Sequence, residues 1–141
     1  MRFSSLTSLI IMSYTESQTV HSGLLKSVLT AAKSLEFFNL EGSFGSFLTD
    51  SYFSSILAAN SLSSLSTLDI CVSELGEAES RIPLTFDTVQ LVLTTCNNIK
   101  ELKISDWSID CAQFWILRRM VRLNNWDILI TRKCSKHTCT C

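Results

Sequence analysis

The residues best suited to bind a metal ion lie near the end of the sequence. Cys134, His137, Cys139 and Cys141 supply three thiols and one imidazole within eight residues. Thiolate and imidazole are the usual ligands of structural zinc. The spacing C-x-x-H-x-C-x-C nevertheless fits no closed tetrahedral zinc module, and alternate ligands on so short a loop would be strained. We favour a tail with free thiols, keep zinc and a disulfide as alternatives, and predict no metal and no cofactor.

Motifs for catalysis are absent from the sequence. His21 and His137 are the only histidines, and neither stands beside a nucleophile in a recognisable motif. The sequence has no phosphate-binding glycine loop, no dinucleotide fingerprint, no G-x-S-x-G and no H-E-x-x-H. His21, next to Ser22, is interpreted as an ordinary residue at the start of a helix. These observations predict a protein that is not an enzyme and has no small-molecule substrate.

Basic residues gather towards the C-terminus. They are Arg118, Arg119, Arg122, Arg132, Lys133 and Lys136. Arg118 and Arg122 share one face of a helix because they are four residues apart. The whole chain has 12 basic and 13 acidic residues, so no net positive field attracts nucleic acid or an anionic membrane. We interpret the group as a solvated face, with an acidic partner or RNA as the alternative. No nucleic-acid partner is predicted, and no membrane partner, because no run of 18 apolar residues occurs.

An apolar pattern of the form L-x-x-L-x-L recurs along the chain. Its copies are Leu6-Leu9-Ile11, Leu35-Phe38-Leu40, Leu65-Leu68-Ile70, Ile99-Leu102-Ile104 and Leu123-Trp126-Ile128. The leading positions are separated by 29, 30, 34 and 24 residues. Four of the copies follow a stretch with apolar residues at helical spacing, which predicts a helix followed by a strand. A period of this size favours a solenoid, in which each repeat buries its apolar edge against its neighbours.

The pattern predicts the order of the secondary structure. We expect strands near 36–40, 66–70, 100–104 and 125–129 in one parallel sheet, and helices near 22–32, 51–60, 86–96 and 111–121 on its outer side. Residues 1–130 form a repeat domain of about five repeats, the first one incomplete, and residues 131–141 form a disordered Cys-rich tail. The polar stretch 71–83 is expected to be a solvated loop. Cys71, Cys96 and Cys111 are expected to be small buried apolar residues in a reducing compartment.

Several of these segments resemble a known family, the leucine-rich repeats. The stretch Cys96–Ile104 is similar to the C-x-x-L-x-x-L-x-L unit of the cysteine-containing subclass familiar from F-box proteins. The stretch Leu48–Ala58 resembles the helix entry and helix of that unit, and Leu84–Val89 is a looser match. The resemblance implies an α/β fold, a short leucine-rich-repeat horseshoe with a parallel sheet on its concave face and helices on its convex face.

The resemblance also carries an expectation about function. It implies a protein–protein interaction module, similar to the substrate-recognition repeats of a ubiquitin-ligase receptor and located in the cytoplasm or nucleus. The alternative is a truncated or degenerate repeat remnant that has kept no partner. Finding an F-box encoded just upstream would favour the first of these two hypotheses.

The alternation of side chains in a strand predicts which residues bind the partner. The repeated apolar residues face the helices, so the residues between them face outward along the concave surface. On the best-defined strands these outward residues are Phe37, Asn39, Thr67, Asp69, Glu101, Lys103, Asn125 and Asp127. With Ile10 and Phe37, the N-terminal half of this surface is the more apolar one. A protein or peptide with an apolar anchor and a mixed-charge edge is the expected partner.

Overall fold

Strands and helices alternate along the protein. The structure, a computed structural model, describes residues 3–13, 22–42, 48–72, 84–105 and 109–133. Its strands are β1 (Ser8–Ser13), β2 (Phe37–Gly42), β3 (Thr67–Val72), β4 (Glu101–Ser105) and β5 (Leu129–Lys133). Its helices are α1 (Ser22–Ala31), α2 (Asp50–Ala59), α3 (Phe86–Thr95) and α4 (Cys111–Leu123). The predicted α/β class is confirmed, and each predicted helix is present within two residues of its expected bounds. The 73–83 part of the predicted loop and the tail from Cys134 onward lie outside the described residues.

The strands form one sheet in which each strand pairs with the next one in the sequence. All four pairs are parallel, and the order is β1-β2-β3-β4-β5. The single parallel sheet predicted from the sequence is therefore confirmed. A helix connects each pair, and crossovers of this kind between neighbouring parallel strands share one handedness, which places the helices on one face of the sheet.

The hydrophobic core lies between that face and the helices. Alternate strand residues are buried there: Phe38 and Leu40, Leu68 and Ile70, Leu102 and Ile104. The apolar faces of the helices complete the same cluster, with Leu25 and Leu29 on α1, Phe53, Ile56 and Leu57 on α2, Val89, Val92 and Leu93 on α3, and Phe114 and Leu117 on α4. The outermost strand β1 is less well covered, since Leu9 and Ile11 are only half-buried.

Polar side chains cap the N-termini of α2, α3 and α4. Thr49 accepts a hydrogen bond from the amide of Tyr52 at the start of α2, and Thr85 does the same for Asp87 at the start of α3. Asp110 forms a full capping box with Gln113 at the start of α4. Such caps satisfy amides that have no partner inside the helix, which fixes where each helix begins.

A buried asparagine at the end of α2 joins this helix to the end of α1. The Asn60 side-chain amide donates to the carbonyl oxygens of Leu29, at 2.8 Å, and Ala32, at 3.1 Å. Its Oδ1 accepts from the backbone amide of Leu62 at 3.3 Å. Leu62 has a φ of 48°, a value uncommon for residues with side chains. Asn60 thus uses both ends of its amide to hold this turn against the end of α1.

The last strand differs from the sequence-based prediction. β5 begins at Leu129 instead of 125, and Ile130 pairs with Leu102, so Leu123-Trp126-Ile128 is not a fifth copy in register. The cause is the length of α4, which continues for 13 residues to Leu123. A turn with Asn125 at φ 52° then reverses the chain. The true offset between β4 and β5 is 28 residues, from Glu101 to Leu129.

Two cysteines test the prediction of buried, reduced thiols. Cys96 is free and buried, as predicted. Cys111 is half-buried and disulfide-bonded, so the expectation of a free thiol was wrong there.

The assignment of strand faces makes a prediction about stability. Leu102 is fully buried on β4, whereas the neighbouring Lys103 points to the opposite face. Leu102→Ala leaves a cavity and should lower the free energy of unfolding by about 2–5 kcal/mol. Lys103→Ala should lower it by at most about 1 kcal/mol, since it removes one exposed ion pair. Urea unfolding of both variants measures the difference, and equal losses would contradict this assignment.

Candidate functional site

The sheet face opposite the helices is a candidate functional surface. We call it the open face, and the strand register arranges it in two main rows. The first row is Ser8, Phe37, Thr67, Glu101 and Leu129. The second row is Ile10, Asn39, Asp69, Lys103 and Thr131. Because neighbouring strands are about 4.8 Å apart, each row spans about 20 Å.

One hydrogen bond and one ion pair fix side chains in the middle of the open face. The Asn39 amide donates to Asp69 Oδ2 at 3.2 Å, across the β2–β3 pair. On β4, Lys103 Nζ lies 3.4 Å from Glu101 Oε1, and both side chains are about one-third exposed. These two residues meet because positions two apart on a strand project from the same face. The centre of the face is therefore polar, and its side chains are held in place by one another.

The edges of the open face are apolar. Ile10 and Met12 on β1 are 57% and 59% exposed, and Leu129 on β5 is 62% exposed. The sequence predicted a gradient from an apolar N-terminal half to a charged C-terminal half. The structure instead has a polar centre between two apolar edges, because the β5 position in the first row is held by Leu129.

Six of the eight predicted site residues lie together on this face. Phe37, Asn39, Thr67, Asp69, Glu101 and Lys103 are neighbours in the two rows. Asn125 and Asp127 are not on the face: both are exposed in the turn between α4 and β5. Their expected places are taken by Leu129 and Thr131, which the sequence analysis missed. The pair Asn124-Asn125, a typical end of a helix, was the signal that the strand begins later.

A second polar cluster joins the starts of α2 and α3. Asp50 Oδ1 accepts from the Thr85 amide at 2.9 Å and from the Thr88 hydroxyl, and Oδ2 accepts from the Thr85 hydroxyl at 2.6 Å. A groove of about 330 Å³ passes beside it, lined by Asp50, Ser51, Ser54, Asp87, Thr88 and Leu91. Burial alone raises the pKa of Asp50, but the hydrogen bonds from Thr85 and Thr88 outweigh burial and lower it. Protein donors already occupy both oxygens, so the cluster is a structural link between helices.

The described residues offer little to a metal or to nucleophilic chemistry. Among them, no group of three or more His, Cys, Asp or Glu side chains converges. Burial raises the pKa of the Cys96 thiol to about 12, so this thiol is protonated at neutral pH and is a poor nucleophile. The Cys134–Cys141 cluster lies outside the described residues.

Comparison of the sequence and structure with protein-family models, curated proteins and solved structures finds no match of any of the three kinds. None of the helices in the described ranges is both long enough and apolar enough to cross a membrane.

The Asp50 cluster gives a prediction about pH. A lowered pKa means that folding favours the ionised carboxylate, so this stabilisation is present above the usual pKa of 3.8 and disappears as the pH falls through the lower folded-state value. Asp50→Asn should cost about 1–3 kcal/mol at pH 7. Below pH 3.8 the unfolding free energies of wild type and variant should converge.

Chemical denaturation between pH 7 and pH 2 measures this convergence. The matched control is Asp87→Asn, which removes an exposed carboxylate at the start of α3 and should cost at most about 1 kcal/mol. An Asp50→Asn loss no larger than that of the control would show that the three hydrogen bonds do not link the helices energetically.

Proposed function

We propose that this chain is a short leucine-rich-repeat solenoid and that it acts as a protein–protein interaction module through its open face. The observation that carries the proposal is the sheet: five parallel strands in sequential order, with helices on one face and the other face uncovered in the described residues. A sheet that exposes such a face presents a broad surface for another protein.

The repeat spacing supports the solenoid. Equivalent strand positions are offset by 29, 30, 34 and 28 residues: Ser8, Phe37, Thr67, Glu101 and Leu129. Contacts between helices follow the same order, since α1 packs on α2 and α2 on α3. Packed helices are 8–10 Å apart and paired strands about 4.8 Å apart, so stacking such units bends the array with the strands on the inner side. The open face is then the concave one.

The chemistry of the open face suggests the kind of partner. The apolar edges, with Ile10 at one side and Leu129 at the other, suit two apolar anchors on a protein or peptide. The fixed polar centre, with Asp69, Glu101 and Lys103, suits hydrogen-bonding and charged groups between those anchors. A protein surface or an extended peptide about 20 Å long would cover both.

The more specific assignment rests on the sequence resemblance. We propose that the module resembles the substrate-recognition repeats of a ubiquitin-ligase receptor, as the stretch Cys96–Ile104 suggests. A location in the cytoplasm or nucleus follows from the same resemblance. The Cys111 disulfide argues against it, because disulfides are rare in those compartments. Cell fractionation of the tagged protein tests the location.

A specific observation favours the second hypothesis, a degenerate remnant without a partner. Large apolar side chains are exposed at both ends of the sheet and on α4, including Met12, Leu123 and Leu129. Such exposure is typical of a repeat array that lacks polar capping units. The two hypotheses differ in whether any protein depends on the open face for binding.

The experiment removes the charges at the centre of the open face. Exchanging the signs of Glu101 and Lys103 is unsuitable, because a carboxylate at 103 would stand directly opposite Asp69. Glu101→Gln with Lys103→Gln removes one acid and one base and leaves the net charge unchanged. The control is Lys33→Gln with Glu36→Gln, an equivalent exposed pair in the turn before β2.

Affinity capture from cell extract, quantified by mass spectrometry, compares the two double variants with wild type. We expect the Glu101/Lys103 variant to recover about tenfold less of a partner that the control recovers in wild-type amount, because two charged contacts are removed. Equal recovery with both variants would exclude the open face as the binding surface. Recovery of no partner by the wild type would favour the remnant hypothesis.

A further inference from the structure

Backbone hydrogen-bonding groups line the outer edge of β5. β5 is the last strand of the sheet, and no described strand pairs with its far side. The Leu129 amide donates to the Lys100 carbonyl at 2.8 Å, on the β4 side. Alternate residues of a parallel strand direct their backbone groups to opposite sides, so Ile130 and Arg132 direct theirs outward. An extended chain can pair with these two residues.

A pocket lies beside this edge, on the helix side of the sheet. It has a volume of about 410 Å³ and lies between α4 and β5. Its lining is Trp115, Arg118, Val121, Arg122, Ile128, Leu129 and Ile130. In the middle of the sheet, the apolar side chains on the helix side, such as Leu102 and Ile104, are buried. The pocket thus suits an apolar side chain carried by an added strand.

Two arginines give the pocket a charge preference. Arg118 lies against the rings of Phe114 and Trp115, with Cζ 5.6 Å and 5.4 Å from their centroids. This stacking holds the guanidinium at the pocket wall. Neither Arg118 nor Arg122 forms an ion pair in the described part of the chain. The side chains of residues 134–141, which follow β5, include no Asp or Glu.

We propose that the β5 edge and its pocket bind an extended acidic peptide segment of another protein. The segment adds as a sixth strand, inserts one apolar side chain into the pocket and places carboxylates against Arg118 and Arg122. Backbone pairing supplies affinity, while the pocket and the arginines select the sequence, as in other complexes formed by strand addition. This surface shares Leu129 with one edge of the open face, but the proposal does not depend on the function assigned to that face.

The test uses a fluorescent hexapeptide in which Glu, Leu and Glu alternate with Thr, so that the acidic and apolar side chains share one face. Arg122→Glu should raise its Kd about tenfold, because an attraction becomes a repulsion. Arg119→Glu is the matched control: it makes the same charge change on α4 at an exposed residue outside the pocket lining, and it should change Kd by less than about twofold. Circular dichroism confirms that both variants are folded.

Two further peptides separate the parts of the proposal. A version with Lys in place of Glu should bind the wild type about tenfold more weakly and recover affinity for Arg122→Glu. A version with methylated amide nitrogens should lose binding, because it cannot donate to the strand edge. Absence of binding by the Glu peptide, equal effects of the two arginine variants, or undiminished binding of the methylated peptide would each overturn the proposal. Sedimentation showing that two copies of the chain associate through this edge and exclude the peptide would also overturn it.

Discussion

The structure depends on apolar side chains that only a neighbouring unit can cover. A strand followed by one helix has too little of its own surface to bury residues such as Leu40, Ile70 and Ile104, yet each of these is fully buried. The cover comes from the adjacent unit on each side. Where one side has no described neighbour, as at β1, the equivalent Ile11 is only half-buried. Stability is therefore greatest in the middle of the sheet and decreases towards its ends.

Polar hydrogen bonds also join consecutive strand–helix units. Asn60 ties its turn to the end of α1, and Asn98 donates to the carbonyl of Ser63 one unit earlier. Asp50 ties the start of α2 to the start of α3 through Thr85. A hydrogen bond adds about 1 kcal/mol, but an unpaired buried group costs more, so these links select the alignment of units more than they add to its stability. These hydrogen bonds explain why consecutive strands stay aligned although the units differ in length.

The sequence predicts the middle of this fold well and its last unit poorly, for a physical reason. The helical spacing of apolar residues and the alternation that follows it place α1 to α3 and β2 to β4 within about two residues. In the last unit, Leu123, Trp126 and Ile128 imitate the apolar pattern by chance, since 46% of all residues are hydrophobic. The length of α4 then decides the register, and helix length depends on caps and packing that periodicity does not reveal. The two lost site residues, Asn125 and Asp127, follow from that single shift.

The links made by Asp50 and Asn60, and the pocket at β5, were beyond prediction for another reason. The two links depend on residues more than 30 positions apart in sequence, such as Asn60 and Leu29, which meet only once the units are stacked. The pocket depends on where β5 begins after α4, which the sequence analysis placed four residues too early. The same stacking separates two kinds of surface. On the open face, the Asn39 amide donates to Asp69, while Asn39 Oδ1 is buried and has no hydrogen-bond partner in the described residues, so a partner must match a fixed polar pattern. At the β5 edge, backbone groups and the Arg122 guanidinium have no protein partner in the described residues, so a bound chain completes contacts that the fold leaves unmade. Recognition at the edge can therefore gain affinity from the backbone itself, whereas recognition on the open face depends on side-chain complementarity.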